Sequence, residues 1–231
     1  MSEAVAPADV HADAHGHAVH HPRLQHHFDT MQQQKEASTL GMWVFLLTEV
    51  LFFGGLFCAY AIYRGLHPEI FVYAHYYLDT FWGAVNTCVL IVSSLTAAWA
   101  VRNAQLGEQK KLVTNIIVTI ALACCFLVVK YVEYSHKFHE HLIPGPHFAF
   151  EPQFVRQAQI FFSLYFMMTG LHALHMIVGM GLMIWMLIWA YNGTLGDGYY
   201  SPVEIVGLYW HFVDIVWIFL FPLLYLIGRH G

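Results

Sequence analysis

Hydrophobic residues in this chain come in five long runs separated by polar stretches, at about 40–63, 80–101, 112–134, 157–191 and 204–228. Each run is long enough to cross a bilayer as a helix, which needs ~20 apolar residues. The fourth is longer than a bilayer requires, so it is expected to tilt or protrude. No internal repeat accompanies the pattern. The prediction is an all-α, polytopic membrane bundle of five transmembrane helices over residues 39–231, preceded by a polar, flexible tail over residues 1–38.

The breaks between runs read as loops. Arg64 to Asp79 is a short, aromatic-rich connection with His67, Pro68 and His75, as expected at a membrane interface. Ser135 to Val155 carries Pro144, Pro146 and Pro152, and Asn192 to Pro202 is a Gly-rich link. Two small-xxx-small pairs, Gly55/Ala59 and Ser94/Ala98, predict places where helices approach closely.

Composition strengthens the membrane reading. The chain is 58% hydrophobic and 11% charged, whereas soluble domains run near ~25% charged. A net charge of −5 gives no basic footprint for nucleic acid, which excludes that partner class. The first residues lack the pattern of a secretory signal, so insertion is expected to rest on the first apolar helix. Arg23, Lys35, Arg102, Lys110 and Lys111 fall on one side of the predicted membrane, and Arg64, Lys137, Arg156 and Arg229 on the other. The short loop with three basic residues puts the N-terminus in the cytoplasm and, after five spans, the C-terminus outside.

Two residue classes carry little chemistry by themselves. Cys58, Cys88, Cys124 and Cys125 lie in apolar runs without metal or redox spacing, and read as reduced residues packed between helices. The tail holds His11, His15, His17, His20, His21, His26 and His27; a histidine-rich tract can bind metal, but a solvated tail is the plainer reading.

The candidate chemistry lies in polar residues at membrane depth, which usually face the bundle interior and a partner. Glu49 is the single charge of the first run, roughly 12 Å along the helix from Gly41. Lys130 and Glu133 form an i,i+3 pair, read either as a local salt bridge near the interface or as a proton-handling pair. His172 and His175 share one helix face, as do His211 and Asp214. Facing histidines could hold haem or a metal, or could hydrogen-bond to backbone carbonyls and neighbouring acids. Glu49 and Asp214 could form a proton relay or a structural polar cluster. Nothing resembles a nucleotide loop, a nucleophile triad or a metalloprotease motif.

In order along the chain, Thr48-Glu49-Val50-Leu51-Phe52-Phe53, Glu133-Tyr134, Thr169-Gly170-Leu171-His172-Ala173-Leu174-His175 and Tyr209-Trp210-His211-Phe212-Val213-Asp214-Ile215-Val216-Trp217 resemble the motifs of subunit III of haem-copper respiratory oxidases. Glu204 also matches an acid of that family. The likeness runs from about Leu40 to Gly228 and is to the short, five-helix bacterial form. That form lacks the two leading helices that wall a lipid-holding cleft in longer members. The family often has a basic residue before the Gly-Met that opens the first span, where this chain has Thr39 and Leu40.

The resemblance implies an accessory subunit, itself non-catalytic and free of metal, in a proton-pumping cytochrome c oxidase that reduces oxygen to water. Haem and copper would reside in partner subunits I and II, and structural phospholipid would bind this chain. Contact with other respiratory complexes is also allowed. Glu49, Glu133, His172, His175, Glu204, His211 and Asp214 would form a polar core associated with protons and lipid, with Glu49 at the family's buried reactive carboxyl. The implied location is the bacterial inner membrane, N-terminus cytoplasmic and C-terminus periplasmic. The other readings are subunit III of a quinol oxidase or of a nitric-oxide-reductase-type complex, and more distantly a haem-binding membrane cytochrome or a stand-alone proton transporter.

Overall fold

The computed structural model describes residues 24–145, 148, 150, 154–193, 195 and 199–226. His11, His15, His17, His20, His21, Arg23, Pro146, Pro152 and Arg229 lie outside them, as do the last two residues of the fifth predicted span. The described residues form α1 (Met31–Leu66), α2 (Pro68–Ala74), a 3₁₀ turn (His75–Tyr77), α3 (Thr80–Gln105), α4 (Gln109–His139), α5 (Val155–Tyr191) and α6 (Ser201–Tyr225). Five of these helices, α1 and α3 to α6, are long and apolar enough to cross a membrane. At 36 and 37 residues, α1 and α5 exceed the bilayer and must tilt or project.

Several boundaries differ from the hydropathy pattern: α4 runs on to His139 through the start of the expected Ser135–Val155 loop, and α1 and α2 show the physical reason most plainly. Helix α1 starts well before the apolar run, so the polar segment 1–38 contains the helix start. Thr30-x-x-Gln33 is a capping-box pattern. The Thr30 hydroxyl accepts from the Gln33 amide at 3.1 Å, and the Gln33 side chain accepts from the Asp29 amide at 2.9 Å. Hydropathy marks only the part of a helix that lipid surrounds, and such polar first turns are silent in it. The connection Arg64 to Asp79 likewise contains helix. Pro68 opens α2, where its missing amide hydrogen is no loss, and Ile70, Phe71 and Ala74 are buried. The Phe71 ring meets Tyr60 and Phe161 edge-on at 5.3 and 5.2 Å.

The described residues divide into two units, the first ending at Phe45 and the second beginning at Leu46. Within the second, α3 packs on α4 and α6, and α5 packs on the same two helices, closing a ring of four. The later part of α1 lies along α5 and α6. Phe53 meets His175 and Phe212 at ring distances of 5.2 and 6.2 Å, and the Tyr60 hydroxyl donates to the Leu223 carbonyl at 2.8 Å. Lipid gives no hydrophobic drive between helices, so tight packing and interhelical hydrogen bonds hold such a ring together. Trp210 and Trp217 of α6 donate their indole hydrogens to Ser93 and Thr87 of α3, each at 3.1 Å. Thr96 and Thr119 join α3 to α4 at 2.8 Å.

Among the glycines, closest approach falls elsewhere than at Gly55. A methyl group at Gly83, Gly179 or Gly207 would lie 2.8 Å from Phe221, 2.9 Å from Trp210 or 2.7 Å from Val101. Gly55 has open space beside it. The four cysteines also depart from expectation, since all are exposed on outward faces rather than packed between helices. Small size permits a buried position but does not select it.

Candidate functional site: ionisable groups inside the bundle

Helices α1 and α5 bring Glu49 and His175 together, with His175 Nε2 3.1 Å from Glu49 Oε2. The other ring nitrogen, Nδ1, lies 2.8 Å from the Leu171 carbonyl one turn earlier in α5. A carbonyl can only accept, so Nδ1 carries a hydrogen. The contact at Nε2 then needs one proton between two acceptors. Either imidazolium faces carboxylate, or neutral imidazole accepts from a carboxylic acid. In both forms the pair holds a single proton, half-buried, with side-chain exposures of 16% and 19%. Tyr209 of α6 ties the same turn by donating to the His175 carbonyl at 3.1 Å.

A second cluster centres on Glu133. Lys130 Nζ is 2.8 Å from Glu133 Oε2, and Lys137 Nζ is 3.6 Å from Glu133 Oε1. The hydroxyls of Tyr165 and Tyr225 donate to Glu133 Oε1 at 2.8 and 2.6 Å. Lys130 also donates to the Tyr225 oxygen at 2.6 Å and sits 4.5 Å from the centre of the Trp217 ring. Lys137 reaches the Tyr77 carbonyl at 3.4 Å. The expected i,i+3 local salt bridge is therefore formed, and it is buried: the three charged side chains are only 4–6% exposed. Two ammonium groups flank one carboxylate, so each loses its nearest compensation if Glu133 is neutralised. A recess of about 420 Å³ abuts the cluster and is bordered by Asp79, Glu133, His136, Lys137 and Glu140.

The remaining sequence-predicted residues are separated rather than gathered. His172 is buried with its ring between Phe126 and Trp217, at 5.5 and 5.3 Å. Neither of its nitrogens has a hydrogen-bond partner. His211 and Asp214 share a face of α6 but do not pair. His211 Nδ1 meets the Ser94 hydroxyl at 2.7 Å. Asp214 is 2% exposed and neither oxygen has a hydrogen bond; Ser94 faces it as well but has one hydroxyl and bonds to the histidine. Glu204 lies in the first turn of α6, where it accepts from Gln105 at 2.8 Å, away from the bundle's middle. Among the described residues no three His, Cys, Asp or Glu side chains converge as a metal site.

Sequence reasoning missed Lys137, Tyr165 and Tyr225. Lys137 is four residues beyond Glu133 and seven beyond Lys130, a helical spacing that puts all three on one face. Its position among loop charges hid it. The two tyrosines carried no signal, because tyrosine is common at both ends of membrane helices.

The chain matches the family model described as Cytochrome c oxidase subunit III over residues 23–229. It is similar to a Cytochrome c oxidase subunit 3 of Thermostichus vulcanus, at 30% identity over 87% of this chain and 92% of that one. It is equally similar to a Quinol oxidase subunit 3 of Bacillus spizizenii, at 30% identity over 87% of this chain and 94% of that one. A Heme-copper oxidase subunit I+III of Aeropyrum pernix is 32% identical over 84% of this chain, which spans only 23% of that longer protein. With a family match over nearly its whole length, this chain belongs to the cytochrome c oxidase subunit III family.

Proposed function

We propose that this chain is the accessory subunit III of a proton-pumping cytochrome c oxidase, where it steadies subunit I and supports proton uptake. Membership already places it in a haem-copper oxidase complex with subunit I and assigns it no redox centre. Pumping, the electron donor, contact with subunit II and a bound structural phospholipid are the proposed parts. The observation that carries the proton role is the Glu49–His175 pair, which keeps one exchangeable proton at membrane depth and is half-buried rather than sealed. Glu133 with its two lysines gives a second fixed polar centre. Glu204 is left out of the proton-associated core, because it lies at the helix end. The proposed setting is the bacterial inner membrane with the N-terminus cytoplasmic, supported by Arg102, Lys110 and Lys111 around one turn.

The test is made on the purified oxidase complex carrying Glu49→Ala. Turnover that decays sooner, or fewer protons taken up per oxygen, is the expected result. Unchanged activity, lifetime and proton stoichiometry would remove the role. The quinol reading rests on the Bacillus relative's name, at the same identity as the Thermostichus one. Assaying the same complex with reduced cytochrome c and with a quinol decides between the two donors.

A further inference from the structure

Helix α2 buries Ile70, Phe71 and Ala74 and keeps Glu69 and Tyr73, four residues apart, on an exposed face. A cleft of about 210 Å³ lies between that face and the start of α5, lined by Glu69, Ile70, Tyr73, Phe150 and Phe154. Neither the oxidase reading nor the polar core of the bundle uses it. It belongs to the connection between two spans, outside the apolar runs.

The walls of the cleft are aromatic and set at angles. Tyr73 and Phe150 lie 5.9 Å apart between ring centres with their planes at 83°, a corner rather than a stack. Phe154, the residue preceding α5, adds a third ring to the lining. Phe150 is also held by Tyr77 at 5.5 Å and by the fully buried Phe162 at 6.4 Å, so this wall is fixed by the fold itself. Glu69 supplies the single charge of the lining. The ion pairs among the described residues are all made by other acids, which leaves this carboxylate facing the cleft without a cation.

The face of an aromatic ring is negative, and a cation within about 6 Å of its centre is drawn to it. Rings meeting at a corner beside a carboxylate therefore complement a cation whose own surface is apolar. Methylated ammonium is such an ion, and aromatic cages recognise it in this way. A hard metal ion needs several converging oxygen ligands, and among the described residues no such group of acids occurs. The volume falls below the roughly 300–1,000 Å³ of sites for drug-sized ligands, which points to a small guest.

We infer that the cleft between α2 and the start of α5 binds a small methylated ammonium ion from the aqueous phase, with Tyr73, Phe150 and Phe154 as its walls and Glu69 as its counter-charge. The site is independent of the electron donor and of the proton role of Glu49.

Equilibrium dialysis of the purified oxidase complex against radiolabelled choline tests it, at fixed ionic strength and in detergent free of phosphatidylcholine. Wild type should bind saturably, and tetramethylammonium should displace the label where sodium does not. Glu69→Gln and Tyr73→Leu should each weaken binding by roughly two- to fivefold, the worth of one exposed cation–π or charge contact. Tyr73→Phe keeps the ring and should bind as wild type does. Subunit recovery and turnover equal to wild type report intact assembly in all three variants. The uncharged alcohol in which carbon replaces the nitrogen of choline should leave the label in place. Equal displacement by that alcohol overturns the proposal, because the cleft would then select shape and not charge. Absence of saturable binding, or equal binding in wild type, Glu69→Gln and Tyr73→Leu, overturns it as well. So does displacement by phosphatidylcholine but not by tetramethylammonium, which would make this a lipid site. A cross-link from Glu69 to a lysine of another subunit in the wild-type complex would also overturn it, by filling the cleft with protein.

Discussion

His175 and Glu49 lie 126 residues apart in sequence and 3.1 Å apart in space, and their contact joins α1 to α5 inside the apolar part of the molecule. The Leu171 carbonyl fixes the imidazole's tautomer from the other side at 2.8 Å. Tautomer, partner and helix contact are thus one arrangement, and single substitutions can separate docking from proton holding.

Glu49→Gln preserves size and hydrogen bonding but removes the shared acidic proton. The thermal stability of the complex should fall by no more than about 1 kcal/mol, since one polar contact replaces another. Glu49→Leu leaves His175 Nε2 without a partner, and should cost roughly 1–3 kcal/mol. Proton uptake should be reduced in both. Normal uptake in the glutamine variant would show that the pair only docks the helix.

The buried triad responds differently. Replacing Glu133 with Gln strands Lys130 and Lys137, each only 4–6% exposed, in a low-dielectric site. Breaking a buried charge network this way costs about 3–5 kcal/mol. Adding Lys130→Met should restore part of the loss, because it removes one stranded charge. A double-mutant cycle on complex stability reads the coupling directly. Simple additivity of the two substitutions would mean that water already reaches and compensates the lysines.

How much of this was legible in the sequence depends on what each signal reports. The five spans were legible because lipid demands long apolar runs, and a soluble fold does not need them. Helix ends were not, because Thr30, Gln33 and Pro68 act through backbone hydrogen bonds that hydropathy ignores. The choice of polar residues was also legible, since Glu49, Glu133, His172, His175, His211 and Asp214 stand out in apolar surroundings. Their partners were not. Periodicity places His211 and Asp214 on one face, yet the rotation and level of α3 deliver Ser94 to the histidine instead. Pairing across helices is a tertiary fact with no local trace.

Glycine packing gives a contrast of the same kind. Gly179→Ala and Gly207→Ala should each destabilise by about 1–3 kcal/mol, because a methyl group meets the Trp210 ring or Val101 in a filled interior. Gly55→Ala has open space and should be neutral or stabilising by up to about 1 kcal/mol from helix propensity. Thermal melting of the three variants ranks them. If Gly55→Ala proved the most harmful, another chain would have to occupy its open side in the complex.

The seam between α3 and α6 offers the sharpest test of the geometry. Ser94→Ala removes the partner of His211 Nδ1 and leaves a half-buried ring nitrogen unsatisfied, a loss of roughly 1–3 kcal/mol. Asp214→Asn keeps the side chain's volume and breaks no protein hydrogen bond, because neither carboxyl oxygen has one. Its effect should stay within about 1 kcal/mol, because one unpartnered buried polar group replaces another of nearly the same size. The two substitutions should then add without coupling, since residues interact energetically only through a shared partner or contact. A coupling well above about 0.5 kcal/mol in the Ser94→Ala/Asp214→Asn cycle would instead show that the serine hydroxyl is divided between the histidine and the aspartate. In that case the whole His211–Ser94–Asp214 set acts as one network, and Asp214 joins the polar core through α3 rather than through its own helix.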